Sequence, residues 1–119
     1  MRAGTGLQEA LIDLEFHMRD LGLWQQETPS DWAFASELPF SHDRMSFPEW
    51  LQFVFIPNLQ SLAAGQSLWP EDCAVAPMAD YYFNTQQRTA KRLIRELEKI
   101  DGLISEHSYS EELLASQIK

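Results

Sequence analysis

The chain has 119 residues, 45% of them hydrophobic and 23% charged, and carries a formal net charge of −9 at pH 7. That length suits one domain able to hide about two thirds of its unfolded surface without staples, and the single cysteine, Cys73, excludes an internal disulfide and points to the reducing cytoplasm. No apolar run reaches the roughly 18 residues that span a bilayer, the N-terminus lacks the basic and apolar regions of a signal peptide, and the acidity disfavours general affinity for nucleic acid, which rests on Lys and Arg displacing counterions from phosphates.

Leu7, Leu11, Leu14, Met18 and Leu21 step by four, three, four and three. The spacing predicts an amphipathic helix over residues 5–21, closed by Gly22. On its far side Ile12 and Phe16 make a second apolar strip, which a following segment or a partner must cover. Residues 24–45 then hold Trp24, Trp32, Phe34 and Phe40 among Pro29, Pro39 and turn-forming residues, without helical or alternating periodicity. A disordered linker is poor in aromatics. The expectation is an ordered strap whose rings lie over the helices and offset the cost of ordering it.

Ser46, Pro48 and Glu49 form a helix-start signal: Ser46 and Glu49 can exchange side-chain-to-backbone hydrogen bonds, and Pro48 stands where a missing N–H costs nothing. From Trp50 through Leu51, Phe53, Val54, Phe55, Ile56, Leu59 and Leu62 no wide polar face remains, so this helix must be buried on all sides. Pro57 pushes against the carbonyl of Phe53, which predicts a kink or a split. Gly65 ends the helix. Residues 66–73 read as a connection. A short helix follows from about Ala74 or Ala76 through Phe83, with Pro77 in its first turn and Met78, Tyr81 and Tyr82 offering apolar contact.

A last long helix is predicted over residues 85–105, with Ala90, Leu93, Leu97, Ile100 and Ile104 as its core stripe. Beyond it, Ser108 and Ser110 before Glu111, Glu112, Leu113, Leu114 and Ile118 give a weak signal for a short docking helix in the tail at 106–119. Four helices with short and medium connections predict one all-α domain over 1–119. The expected arrangement is an antiparallel four-helix bundle with a long aromatic-rich ordered loop between its first and second helices.

Residues 46–59, with their Glu-Trp-Leu-Gln and Ile-Pro elements, together with Ala74-Val75-Ala76-Pro77 and Glu96-Leu97-Glu98-Lys99-Ile100-Asp101, resemble the YqcC-like proteins. The resemblance runs over about 7–104 and leaves the tail outside. It implies an all-helical bacterial protein, and it brings no established activity, cofactor or catalytic residue with it. It also implies an association, by gene neighbourhood, with a tRNA pseudouridine synthase.

Chemistry-bearing residues are sparse. Between Arg88 and Lys99 lie five of the nine basic residues, Arg88, Lys91, Arg92, Arg95 and Lys99, against two acids, so this stretch is locally +3 and the remainder −12. On one helix the five would fall within about 100° of one another and could offer donors to phosphate or to acidic groups of a partner; the ordinary reading is a solvated face tempered by Glu96 and Glu98. Asp13, His17 and Asp20 have a spacing that can present ligands to a metal, but no second segment completes a set, so no metal and no cofactor is expected. Cys73 follows two acids, Glu71 and Asp72, that would raise its pKa, which disfavours a nucleophile. No phosphate loop, serine elbow or converging carboxylate pair is present.

Trp24, Trp32, Phe34, Phe40, Trp50 and Trp69 could line a crevice for an apolar or planar ligand beneath the strap, although ordinary core is the simpler use of such rings. The sequence therefore favours a non-enzymatic binding or accessory protein of the cytoplasm. Another protein is its expected partner; RNA is disfavoured by net charge, and a membrane is not expected. A small-molecule carrier or sensor with an aromatic-lined pocket is the alternative.

Overall fold

The computed structural model describes residues 2–66, 69–70 and 73–118, and side chains within 6–106 of these. Six α-helices and no strand occur among them: α1 (Arg2–Asp20), α2 (Asp31–Phe34), α3 (Phe47–Trp50), α4 (Ile56–Ala63), α5 (Ala76–Thr85) and α6 (Lys91–Ile118). The stripe Leu7, Leu11, Leu14 and Met18, joined by Ala10, is buried. α1 lays it against α4 and α6, and α5 packs on α6. Leu93, Leu97, Ile100 and Ile104 are fully buried from the α6 side, so one apolar cluster runs through every long element.

The ends of the helices follow backbone chemistry. Gly22, at φ 74°, turns the chain out of α1, with its N–H donating to Arg19 O and that of Leu23 to Met18 O. This pair of bonds is a Schellman cap, which requires a left-handed residue. Gly65 repeats it after α4, at φ 77°. After α5 the same cap is built on Gln87, at φ 54°, with Arg88 N–H donating to Phe83 O at 2.9 Å. A side chain is strained there. Gln87→Gly should accordingly stabilise the fold by about 0.5–1 kcal/mol, measurable as a raised urea midpoint at unchanged slope.

Gln87 also corrects the sequence reading of the last helix. Residues 85–90 do not begin it: Thr85 closes α5, and α6 starts at Lys91. Arg88 therefore lies in a connection, off the helix that was to carry it. At the other end the α6 backbone continues to Ile118 without a break, in place of a separate docking helix in the tail.

The central helix begins as its residues dictate. Ser46 Oγ accepts from Glu49 N–H at 3.2 Å while Glu49 Oε1 accepts from Ser46 N–H at 2.8 Å. Pro57 does not interrupt the helical backbone. Instead Leu51–Phe55 widens into a π-helical turn, with Ile56 N–H donating to Leu51 O. The wider turn accommodates the ring and the lost hydrogen bond of Pro57.

The strap is folded more regularly than its composition predicts, with α2 and a 3₁₀ turn at Pro39–Ser41. Its anchor is Gln52, buried at 7% exposure. Gln52 Nε2 donates to Gln25 O at 2.7 Å, and its Oε1 accepts from Gln25 N–H at 3.0 Å. The Gln25 side chain in turn donates to Glu49 Oε2 at 3.2 Å. The Glu-Trp-Leu-Gln element is thus a clamp: its first residue caps the helix and its last holds the strap. A second polar tie crosses between helices, where Asp101 of α6 accepts from the N–H groups of Val75 and Ala76 at 3.0 and 2.9 Å. It caps α5 in place of a local residue, because Val75 has no side chain able to do so.

Candidate functional site

Three surfaces gather the residues singled out above. The first is the exposed side of α1, where Ile12 and Phe16 are 69% and 63% exposed. No described segment covers them. A shallow groove of about 290 Å³ beside them is lined by Gln8, Leu11, Ile12, Glu15 and Gln60. Arg19 donates to Glu15 at 2.8 Å, an ion pair along one edge of the strip.

The second surface is the basic set, which the fold disperses. Arg88 donates to the carbonyl of Leu21 at the end of α1, and Lys99 pairs with Glu96 at 3.7 Å. Lys91, Arg92 and Arg95 are exposed and hold no ion pair among the described residues. Lys91 and Arg92 line a groove of about 280 Å³ with Thr89, Ala90, Leu93 and, from α1, His17, Asp20 and Leu21. Glu96 is largely buried between the elements: Oε1 lies 3.8 Å from His17 Nε2, while Oε2 has no hydrogen bond. His17 thus faces α6, Asp20 borders the groove beside Lys91 and Arg92, and Asp13 is exposed on the outer flank. Among the described residues no group of three or more His, Cys, Asp or Glu is placed to hold a metal, and no helix is long and apolar enough to cross a membrane.

The third surface is aromatic. Phe40 and Trp50 meet edge to face, with ring centroids 4.8 Å apart, and line a groove of about 420 Å³ with Phe55, Leu59, Leu62, Val75 and Ile104. Phe40 takes φ 59°, a conformation that a bulky residue adopts only when its surroundings hold it there. Contacts with Phe47 and Trp50 supply that hold. The other named rings lie elsewhere. Trp24 and Trp69 pack against the core, Arg19 sits over the Trp24 ring at 4.9 Å, and Trp32 and Phe34 point to solvent, with Arg44 over Trp32 at 4.6 Å. The strap therefore covers the helices with Trp24 and Phe40 and presents Trp32 and Phe34 outward.

At the outer bend of the strap Ser36 Oγ donates to Asp43 Oδ1 at 2.5 Å. That hydrogen bond, with smaller help from the charges of Arg44 and His42, holds the Asp43 carboxyl below its ordinary range. A lowered carboxylate pKa means that the tie is present above the ordinary value and is lost as pH falls through the lowered one. A carboxyl-carbon NMR titration should place Asp43 below an ordinary aspartate, and Ser36→Ala should raise its midpoint.

Neither Gln52 nor Asp101 stood out as a site residue from sequence. Gln52 left a signal, being the one polar side chain between Trp50 and Pro57; Asp101 left none, since its partners lie 25 and 26 residues earlier.

Comparison with known proteins places these features in a family. The family model described as "tRNA pseudouridine synthase C" matches residues 6–103. An uncharacterized protein of Haemophilus influenzae is 46% identical over 59% of this chain and 66% of its own length, so the chain spans about two thirds of that relative. A tRNA pseudouridine synthase C of Pectobacterium carotovorum is 38% identical over 64 residues, 54% of this chain but 17% of the synthase. The solution NMR structure of YqcC from Escherichia coli superposes with a TM-score of 0.77 at 31% identity, covering 88% of this chain and 90% of that one. By sequence YqcC of Escherichia coli is 33% identical over 78% of this chain and 85% of its own length, and the chain belongs to the YqcC-like family.

Proposed function

We propose that this chain is a non-enzymatic accessory protein of the cytoplasm that acts by contact with another macromolecule, in the first place the machinery of tRNA modification. The observation that supports this reading is the Pectobacterium synthase: a segment similar to over half of this chain makes up 17% of that polypeptide. Two units joined in one chain stay together by covalent linkage. Where they are separate, a docking surface must do the same work, at an effective concentration that a linker would otherwise provide. The four long segments, α1, residues 47–63, α5 and α6, are read as an antiparallel bundle that presents such a surface rigidly. Affinity capture from ribonuclease-treated lysate, read by mass spectrometry, should enrich a tRNA pseudouridine synthase over an unrelated acidic bait. Capture without any RNA-modifying enzyme contradicts the reading.

The groove under Phe40 and Trp50 favours a second reading, a carrier or sensor of an apolar, planar molecule, because about 420 Å³ lies within the range of ligand sites. Its test is a shift in tryptophan fluorescence on titration with a metabolite panel, abolished in Trp50→Leu. No response across the panel removes it.

A further inference from the structure

The strip on α1 combines two unsatisfied properties at one place. Ile12 and Phe16 stand one helical turn apart, the anchor spacing by which an apolar helix face seats in a groove of a partner. On a helical wheel Glu9, Asp20 and Asp13 lie within about 100° of Ile12 on the same side as Phe16, forming one continuous acidic edge. All three acids are exposed and hold no ion pair among the described residues. On the opposite edge the Glu15–Arg19 pair is already closed. The occupant that fits is therefore a protein surface with an apolar pocket flanked by lysine and arginine.

We propose that Ile12 and Phe16, with the acidic edge Glu9, Asp13 and Asp20, dock this chain onto the basic surface of a tRNA-handling enzyme, the tRNA pseudouridine synthase of the same cell. The inference rests on the functional reading above and adds the surface and its chemistry. An enzyme that holds tRNA presents Lys and Arg to phosphate, which is the charge that the acidic edge lacks. The groove lined by Gln8, Leu11, Ile12, Glu15 and Gln60 continues the strip and receives one apolar side chain from the partner. The basic set competes poorly for the same role, since Arg88 donates to the Leu21 carbonyl and Lys99 pairs with Glu96, which splits the five cations.

The test is isothermal titration of the full chain into the full-length tRNA pseudouridine synthase C of the same organism, at low and at physiological salt. Ile12→Ser with Phe16→Ser should weaken binding at least about thirtyfold, the size expected of central apolar anchors, at an unchanged circular dichroism spectrum. Neutralising the edge with Glu9→Gln, Asp13→Asn and Asp20→Asn should flatten the salt dependence of the affinity. If the wild-type chain binds and the double serine variant binds equally well, the surface is wrong and the functional reading stands. Loss of binding in Arg92→Ala with Arg95→Ala but not in the α1 variants, or binding to tRNA alone, moves the contact to the basic set and overturns the proposal. No binding by the wild-type chain at roughly 100 µM overturns the proposal and the functional reading together.

Discussion

Replacing Gln52 by leucine should lower the stability of the fold by about 3 kcal/mol, seen as a fall of roughly 10 °C in the unfolding midpoint. Leucine is close in volume and the site is buried, so little of this loss comes from packing. It comes from Gln25, whose backbone N–H and carbonyl both bond to the Gln52 amide in a partly buried position. Removing one amide orphans a donor and an acceptor together, each costing about 1–3 kcal/mol. The control is Gln25→Ala. It keeps both backbone bonds to Gln52 and deletes only the side-chain bonds to Glu49 and to the Glu27 carbonyl. Its cost should stay under about 1 kcal/mol. Equal costs for the two variants would mean that the clamp works through the Gln25 side chain and not through its backbone. Hydrogen exchange separates the alternatives further, since Gln52→Leu should release the Gln25 amide first.

Asp101→Ala should cost about 2–3 kcal/mol, the second largest effect, from loss of the carboxylate at the N-terminus of α5. Its two oxygens take separate amides, Val75 at 3.0 Å and Ala76 at 2.9 Å, and both of those residues are buried. Water cannot readily replace the carboxylate there. The anion also complements the positive end of the α5 dipole. Asp101→Asn retains one acceptor and no charge, so it should fall between wild type and alanine. Chemical denaturation of the three proteins gives the order directly. A loss of less than about 0.5 kcal/mol for alanine would place this bond among solvated surface contacts. Because Asp101 joins α5 to α6, its removal should also raise exchange at the amides of the first turn of α5.

Much of this fold is legible in the residues, for identifiable reasons. The stripe of α1 is a strict periodic signal, and its Leu7, Leu11, Leu14 and Met18 are buried as expected, while Leu21 falls just past the helix end and is half-buried. The capping box at Ser46 is local chemistry, fixed by four consecutive residues whatever surrounds them. Pro57 shows where local reasoning stops short. A proline inside a helix must disturb it, but a π turn, a kink and a break all answer the same steric demand, and neighbouring segments decide among them. The cap after Thr85 was hidden because glutamine takes the place usually held by glycine. Without the glycine mark the last helix reads as starting at Thr85 instead of Lys91, and Arg88 falls on a face that the backbone does not form.

The surfaces divide along the same line. Ile12 and Phe16 lie opposite a strong stripe, which sets them on the far side of the helix, and whether the following segment covers them is decided only by the fold, which leaves them exposed. The aromatic residues could not be apportioned from sequence, because a loop without periodicity does not fix which rings turn inward. Trp32 and Phe34 face solvent while Phe40 meets Trp50, and the difference rests on the 3₁₀ turn at Pro39–Ser41 and the left-handed Phe40.

We propose that this chain works by docking on an RNA-modifying enzyme. Sedimentation velocity of a ribonuclease-treated equimolar mixture of the chain and the full-length tRNA pseudouridine synthase C of the same organism tests it most directly. One boundary moving faster than either component alone is expected, and it is lost when Ile12 and Phe16 are serine. Two boundaries at the positions of the separate proteins, at concentrations well above the micromolar range, contradict it.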